Sequence, residues 1–444
     1  MDVGIEAVTF QPGGLVLDLE EVFAPAKDEE PEKYTKGLGL TEISLPDTDE
    51  DIVTLGASAA HELMENEGLK PEDIGRIDVA TESSFDRSKP ASTYIAGCLE
   101  DYYDQNFNHA NKGERKFACI SGTQAVNDSL NWIQSGVNDG RKAIVIATDL
   151  AFYERGDPGE STQGAGAVAM LIDSNPSLTK VNRIHGYSSR DEIDFLKPNQ
   201  QYPSVDGPRS VNVYLNMMRE AIEDFASKGG VVSDFELAPF HTPFPAMVNK
   251  AAPLGYRKII RHAGQQDEIE AEIGEKPVAS QFESESAYEE AINQWMDELV
   301  NTQQYSDWFD KVVDPTIDLS SRVGNLYTGS VHLARLSGLM SAYEQDRELA
   351  GKDILVASYG SGAQAEVHTE TVQSDWKRKI EILDVEEKLD SRKRIEDFET
   401  YIDVHKTHEH GNNHSFSSES ANISNYSYTN KGEMGERLYR LLEN

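Results

Sequence analysis

Two stretches of this chain run through the same order of elements, and that repetition limits the folds open to it. In the first stretch, "DIVTLGASAAHELMENEG" has helical periodicity closed by a glycine, and "IGRIDVATESS" is a β-branched strand entering a small polar loop. A helix with Cys119 in its first turn, the strand "KAIVIATDLA" and the glycine-rich turn and strand "TQGAGAVAMLID" follow. In the second stretch, "VNVYLNMMREAIEDFASKG" reads as a helix and "FELAPFHTPF" as a strand with its loop. "GNLYTGSVHLARLSGLMSAYEQ" leads into another helix, and "KDILVASYGSGAQAEVHTE" is strand, glycine turn and strand. The duplication is weak in residue identity. It nonetheless explains 444 residues, long for one hydrophobic core, without two unrelated domains. Helix and strand patterns alternate, so the expected class is α/β. The expected divisions are 1–172, 173–378 with an acidic helical insertion at about 263–318, and an extension at 379–444.

Laid side by side, Glu82, Cys119 and the Gly164–Gly166 turn of the first half answer to His241, Asn325 and the Gly360–Gly362 turn of the second. Cys119 and Cys98 are the only cysteines, which excludes a disulfide framework and a cysteine-rich zinc site, and fits a reducing cytoplasm. The start "MDVGIEAVTFQPGG" lacks a basic then apolar signal pattern, and no run of about 18 apolar residues suggests a membrane span. Acidic side chains number 78 against 41 basic ones, for a formal net charge of −37. Such a surface repels phosphate backbones, so nucleic acid is not an expected partner. It suits a salt-rich cytoplasm, where ions screen self-repulsion within a few ångströms. Unfolding measured against KCl concentration should therefore show marked stabilisation toward molar salt, and equal stability at low and molar salt would contradict the adaptation.

Cys119 lies at the mouth of a predicted helix, where free N–H groups and the helix dipole favour a thiolate. The small residues of "SGTQA" leave room for a substrate. Cys98, within the helical "STYIAGCLEDYY", has no such loop and reads as an inert packing thiol. Glu82 follows an apolar strand, at the kind of carboxyl-terminal strand end where α/β sites form. His241 takes the equivalent end in the second half, and Asn325 adds a neutral amide at a helix start. In the tail "HKTHEHGNNHSFSSESANISNYSYTNKG", His405, His408, His410 and His414 could ligate a metal. Their Gly/Asn/Ser setting reads instead as a solvated, irregular loop, and no metal site is expected.

The stretches "ATESSFDRSKPAS", "ACISGTQAVNDSLNWIQS", "TDLAFYERGDPGESTQGAGAVAMLI", "DEIDFLKPNQQYPSVDG", "FHTPF", "GNLYTGSVH" and "SYGSGAQAE" resemble, in order, the motifs of the 3-hydroxy-3-methylglutaryl-CoA synthase family of thiolase-fold condensing enzymes. The similarity runs to about residue 370 and suggests a form from a salt-adapted organism. It implies a thiolase-like fold of two βαβαβ halves in a layered α/β/α/β/α core, usually as a homodimer. It further implies condensation of acetyl-CoA with acetoacetyl-CoA and water to HMG-CoA and CoA, in the mevalonate route to isoprenoids. CoA thioesters would be substrates, with no cofactor, no membrane partner and a cytoplasmic location.

Carried over residue by residue, the family's nucleophile falls on Cys119, its general acid/base on Glu82 and its histidine on His241. Asn325 and Ser361 match positions lining the acyl pocket, and Asp149, Asp194 and Tyr202 match polar positions around it. Thr123, beside Cys119, is placed with these substrate-binding residues. Lys250 matches a basic residue near the CoA phosphates, whereas Ala246 stands where many relatives carry a second lysine. Competing readings are a thiolase, a type III ketoacyl synthase, a carrier-protein-dependent condensing enzyme and a silent acyl-CoA-binding protein. A thiolase would need a second catalytic cysteine where "YGSGAQAE" has Ser361, and a decarboxylating synthase has no use for Glu82. Stable acetyl label on Cys119 would separate an acyltransferase from the binder.

Overall fold

A computed structural model of the chain describes residues 2–198, 200–409 and 424–442. Eight strands form its main sheet: β1 (Val3–Pro12), β2 (Ile74–Ala80), β3 (Asn111–Arg115), β4 (Lys142–Ala151), β5 (Gly164–Ser174), β6 (Thr179–Ser189), β7 (Asp353–Gly360) and β8 (Gln364–Val372). Their spatial order is β7-β8-β6-β1-β5-β4-β2-β3. The order is close to a palindrome, and it makes the duplication visible. From the β1–β6 junction, the first half reads outward β1-β5-β4-β2 and the second reads β6-β8-β7. Leu237 and Phe240 then bridge in parallel to Ile354 and Ala357, as β2 runs parallel to β4. The halves join where Gly4 pairs with Lys180 and Ile5 with Thr179.

Successive strand residues face opposite sides, and the side chains sort accordingly. In β4, Ala143 and Val145 enter a central core, while Ile144 and Ile146 enter an outer one. In β7, Ile354 and Val356 join the same central core, and Leu355 and Ala357 face a third. Two outer helices of the first half, α1 (Ile52–Asn66) and α2 (Ala91–Tyr103), fill one outer core. The central core receives α3 (Ser121–Gln134), and α4 (Gly207–Ser227) and α5 (Pro245–His262) cover the far face. A further helix, α6 (Ser330–Glu344), lies beside α3 in the central core. Five layers result, as the resemblance implies. Fully burying each such Leu, Ile or Val contributes about 1.5–3 kcal/mol, so the central helices are fixed on both faces.

The segment expected as an acidic insertion is helical, with Gln266–Ile273, Glu285–Val300 and Gln303–Val312. Its Trp295, Leu299 and Tyr305 pack on Tyr256 and Ile259 of α5. The tail corrects the expectation of an irregular loop. Phe398–Glu409 forms a helix, α7, and Tyr426–Lys431 pairs with Arg437–Leu441 as a hairpin. Both pack on the first half. Tyr401 and His405 of α7 are buried, and Tyr426 joins the core under α1 and α2. The reason is tertiary: a few buried aromatic residues among polar ones carry no periodic signal that sequence alone exposes. His410 and His414 lie outside the described residues.

Candidate functional site

Strand ends converge where the two halves meet. At the end of β2, Thr81 and Glu82 leave the sheet, and Asp149 of β4 fixes their path. One oxygen of the buried Asp149 accepts hydrogen bonds from Thr81 Oγ1 (3.0 Å), the Glu82 amide (2.7 Å) and Ser83 Oγ (2.8 Å). Its other oxygen accepts from the amide (3.1 Å) and hydroxyl (2.5 Å) of Thr328, in the second half. A buried carboxylate is costly unless such donors surround it. Its oxygens being so engaged, Asp149 ties the two halves together.

Beyond β3 the chain turns sharply at Ala118, whose φ of +44° lies in the left-handed region that residues with a side chain avoid. Ser121 braces the turn, its amide (3.2 Å) and hydroxyl (2.9 Å) both donating to the Ala118 carbonyl. Cys119 sits in this turn, two residues before α3 begins, and not within the helix's first turn as its sequence suggests. Its thiol donates to Glu82 Oε1 at 2.9 Å. The expected thiolate is also corrected. Burial, the Glu82 charge and the bond to Glu82 push the thiol well above its usual range. Burial and Asp149 likewise raise Glu82, to about 8, against the opposing effects of Cys119 and Lys197. Below about pH 8 the resting pair is a protonated thiol beside a carboxyl group that mostly holds its own proton, and the ionised form of Glu82 that can act as base grows in as pH rises.

The second half supplies the opposite wall. Gly360 allows the "SYGSG" turn to press on the nucleophile's turn, since a Cβ there would stand 2.7 Å from the Ile120 nitrogen. Asp194, also buried, holds this turn as Asp149 holds the other. It accepts from the Gly362 amide (3.0 Å), Tyr359 Oη (3.0 Å) and Ser210 Oγ (3.4 Å). Ser361 follows directly on Gly360, half-buried. His241 lies just past the Phe240 bridge, its amide donating to the Ala357 carbonyl at 2.7 Å and its carbonyl accepting from Tyr214 at 2.9 Å. Burial pushes its imidazole down to about 3, so the ring is neutral near pH 7. Its ring lies 6.2 Å from that of Tyr359, on which the Cys119 charge also acts.

Asn325 is buried, with Oδ1 accepting from the Tyr327 amide (2.8 Å) and Ser330 Oγ (2.9 Å). Those bonds fix the amide plane, with the Nδ2 donors on its other side. A Cβ on Gly164 would strike the Asn325 carbonyl at 2.5 Å, so that glycine seats the loop. Thr123 is buried and bonds Ser358 of β7 at 2.7 Å, joining α3 to the second half. Tyr202 stands apart from this group, stacked on His405 of α7 at 5.8 Å. Lys250 is an exposed residue of α5.

Sequence reasoning missed three neighbours. Lys197 sits within reach of both acids: burial lowers its ammonium while Glu82 and Asp149 raise it. Tyr153 and Tyr327 are buried where the Cys119 and Glu82 charges act on them. All three stand inside the motifs quoted above, yet only the fold brings them to the thiol. Cys98, by contrast, is buried in α2, and burial pushes its thiol up.

The fold is shared with known proteins. Residues 1–177 match the family described as hydroxymethylglutaryl-coenzyme A synthase N terminal, and residues 182–440 match its C-terminal counterpart. The chain is 57% identical over 443 residues to the hydroxymethylglutaryl-CoA synthase of Haloferax volcanii, covering 99% of each. It is 32% identical to synthase A of Dictyostelium discoideum, covering 82% of this chain and 74% of that one. Among solved structures, a protein in complex with 3-hydroxy-3-methylglutaryl coenzyme A superposes with a TM-score of 0.83 at 28% identity, over 99% of both chains. An HMG-CoA synthase complexed with CoA matches with a TM-score of 0.76 at 28% identity, over the full length of both. Among the described residues, no helix is long and apolar enough to cross a membrane.

Proposed function

The chain belongs to the hydroxymethylglutaryl-coenzyme A synthase family, and from that premise we propose that Cys119, Glu82 and His241 carry its reaction. It is an acyltransferase that condenses acetyl-CoA with acetoacetyl-CoA. The observation that carries the assignment of roles is the 2.9 Å bond from the Cys119 thiol to Glu82.

Glu82 takes the thiol proton as sulfur attacks the acetyl thioester, and returns it to the departing CoA sulfur. The acetyl group is now on Cys119 and Glu82 is again a carboxylate. It then removes a proton from the acetyl methyl, a step for which a raised proton affinity is suited. The enolate oxygen is held by the Cys119 amide and the turn at Ser361, each such donor contributing roughly 10²–10³ in rate. The enolate carbon attacks the C3 ketone of acetoacetyl-CoA, whose oxygen accepts a hydrogen bond from the N–H of neutral His241 and takes the proton Glu82 carries, becoming the hydroxyl and returning Glu82 to a carboxylate. Water cleaves the Cys119 thioester, releasing the product's free carboxylate. Asn325, Ser361 and Thr123 shape the acyl pocket, and Asp149 and Asp194 act as positioning residues that hold its two walls. Lys197 offsets part of the acidic charge around Glu82. Tyr202 lines the entrance beside α7, and the exposed Lys250 contacts the CoA phosphates. CoA thioesters are the substrates and no cofactor enters. The acidic chain works as a homodimer in a salt-rich cytoplasm.

Release of CoA from acetyl-CoA should rise sharply when acetoacetyl-CoA is added, and release indifferent to it would contradict the condensation. The pH profile gives a second check. Glu82 acts only when ionised, so kcat/KM should climb about tenfold per pH unit below about 8 and level off above it. His241, neutral throughout that range, should add no limb of its own near pH 6.5. A profile flat from pH 6 to 8 would remove Glu82 as the base.

A further inference from the structure

Among the described residues, one group of three ligand-type side chains brings its donor atoms within 4.8 Å of one another: His185 of β6 with Glu366 and His368 of β8. None of them enters the reaction above. Glu366 and His368 are buried, and His185 is half-buried at the edge of a cleft of about 560 Å³ between α3 and β6. His185 presents Nδ1 to Glu366 Oε1 at 2.7 Å, and its Nε2 lies 3.0 Å from the Asn182 carbonyl. His368 places Nε2 3.4 Å from Glu370 Oε1, and its Nδ1 lies 3.6 Å from the same Glu366 oxygen. That Nδ1 is buried without a hydrogen-bond partner.

Proton counting makes this arrangement unusual. Each imidazole stands between two oxygen acceptors, and a neutral imidazole has only one N–H to give. If each ring donates from Nε2, to a backbone carbonyl in one case and a carboxylate in the other, both Nδ1 lone pairs face Glu366. Two ring nitrogens and one carboxylate oxygen then face one another, the oxygen also accepting from Asn127. This is also the arrangement by which metal-bound histidines are oriented, the second ring nitrogen being held by a carbonyl or carboxylate. The neighbours are themselves anchored: the outer partner Glu370 pairs with the buried Arg335 at 2.9 Å, and the ligand oxygen Oε1 of Glu366 is oriented by Asn127 of α3, which donates to it at 2.7 Å.

We propose that His185, Glu366 and His368 bind a divalent transition-metal ion, with water from the cleft completing the shell. Two imidazole nitrogens and one carboxylate suit Zn²⁺, Co²⁺, Ni²⁺ or Cu²⁺ and not the oxygen-preferring Mg²⁺ or Ca²⁺. Tetrahedral ligands at about 2.0–2.1 Å from zinc stand about 3.3 Å apart, so the three donors reach that geometry by small side-chain shifts. The ion would pin β6 to β8 and, through Asn127, to the helix that follows Cys119. Its role is structural.

The probe is the metal alone. The full chain, purified without an affinity tag, should bind one equivalent of Zn²⁺ in equilibrium dialysis. Co²⁺ in its place should give the intense visible bands of a tetrahedral site. His368→Gln and the less buried His185→Gln should each weaken Zn²⁺ by roughly 100-fold or more, since losing a ligand costs at least what losing its outer partner does. Both variants should keep the wild-type melting temperature in metal-free buffer, which separates a lost ligand from a lost fold. Two binding results overturn the proposal: no stoichiometric binding by the wild type, or binding that survives in both variants and so belongs elsewhere, such as the tail histidines. Imidazolium signals from His185 and His368 that persist in the presence of excess Zn²⁺ also overturn it, because protons then fill the space.

Discussion

Cys119→Ser should lower condensation by four or more orders of magnitude and leave no acetyl group on the protein. Serine fits the Ala118–Ser121 turn and keeps a donor within reach of Glu82, so the fold and its hydrogen bond survive. What disappears is chemistry. A hydroxyl holds its proton far more tightly than a thiol, and a carboxylate raised to about 8 is still too weak a base to activate it. Mass spectrometry of the intact chain after mixing with acetyl-CoA reads the result directly: an acetylated Cys119→Ser protein turning over at more than a trace rate would remove Cys119 as the nucleophile. Cys98→Ala, made in the packed layer between α1 and α2, should keep the wild-type acetylation rate.

Glu82→Ala separates the two halves of the reaction. The Glu82 charge and bond are the largest influences, after burial, holding the thiol in its protonated form. Removing the carboxylate deletes the base but also frees the thiol to ionise. Acetylation should therefore continue, slower at pH 7 and recovering as pH rises. Condensation has no such escape, because nothing else in the pocket takes a proton from the acetyl methyl, and it should fall by roughly 10³ or more. His241→Ala should differ in the second substrate's step, with acetylation nearly intact, condensation slowed and apparent affinity for acetoacetyl-CoA weakened. Single-turnover acetylation and steady-state condensation on the same variants decide the matter: a Glu82→Ala protein that cannot be acetylated at any pH refutes this division.

The same carboxylate has a cost in stability, with a definite sign. A carboxyl raised from 4.5 to about 8 by folding contributes no penalty below pH 4.5, where both states hold the proton. Between 4.5 and 8 the unfolded chain ionises first, so the folded state loses ground as pH rises. Glu82→Gln should thus melt a few degrees higher than wild type at pH 8 and equally at pH 4.

Much of this architecture could be read from the residues. The β-branched runs ending in Glu82 and His241 announced strand ends, and the repeated order placed those ends opposite each other. Cys119 stood out because it precedes an amphipathic helix among small residues. The ionisation of its thiol could not be read, because that depends on desolvation and on a carboxylate 37 residues away in sequence. The sequence sets Asp149 among the polar positions around the acyl pocket but does not show that it also ties the halves together, because its five donors lie in segments up to 179 residues away from it. Lys197 offered only one cation in a polar stretch. His405 looked solvated because its burial is created by Tyr153 and Gln163, some 250 positions earlier.

That last contact bears on the life of the nascent chain. The Tyr401 hydroxyl bonds both Glu160 and Gln163 at 3.0 Å, and His405 bonds the Tyr153 carbonyl at 2.9 Å, so the loop at the back of the thiol is fastened by residues made long after it. A ribosome that has finished the cysteine, the acid and the histidine has still not made an enzyme. Synthesis must run on through α7 before the wall behind Cys119 is locked. A cut that removes α7 would then silence the protein while sparing every group that touches the substrate.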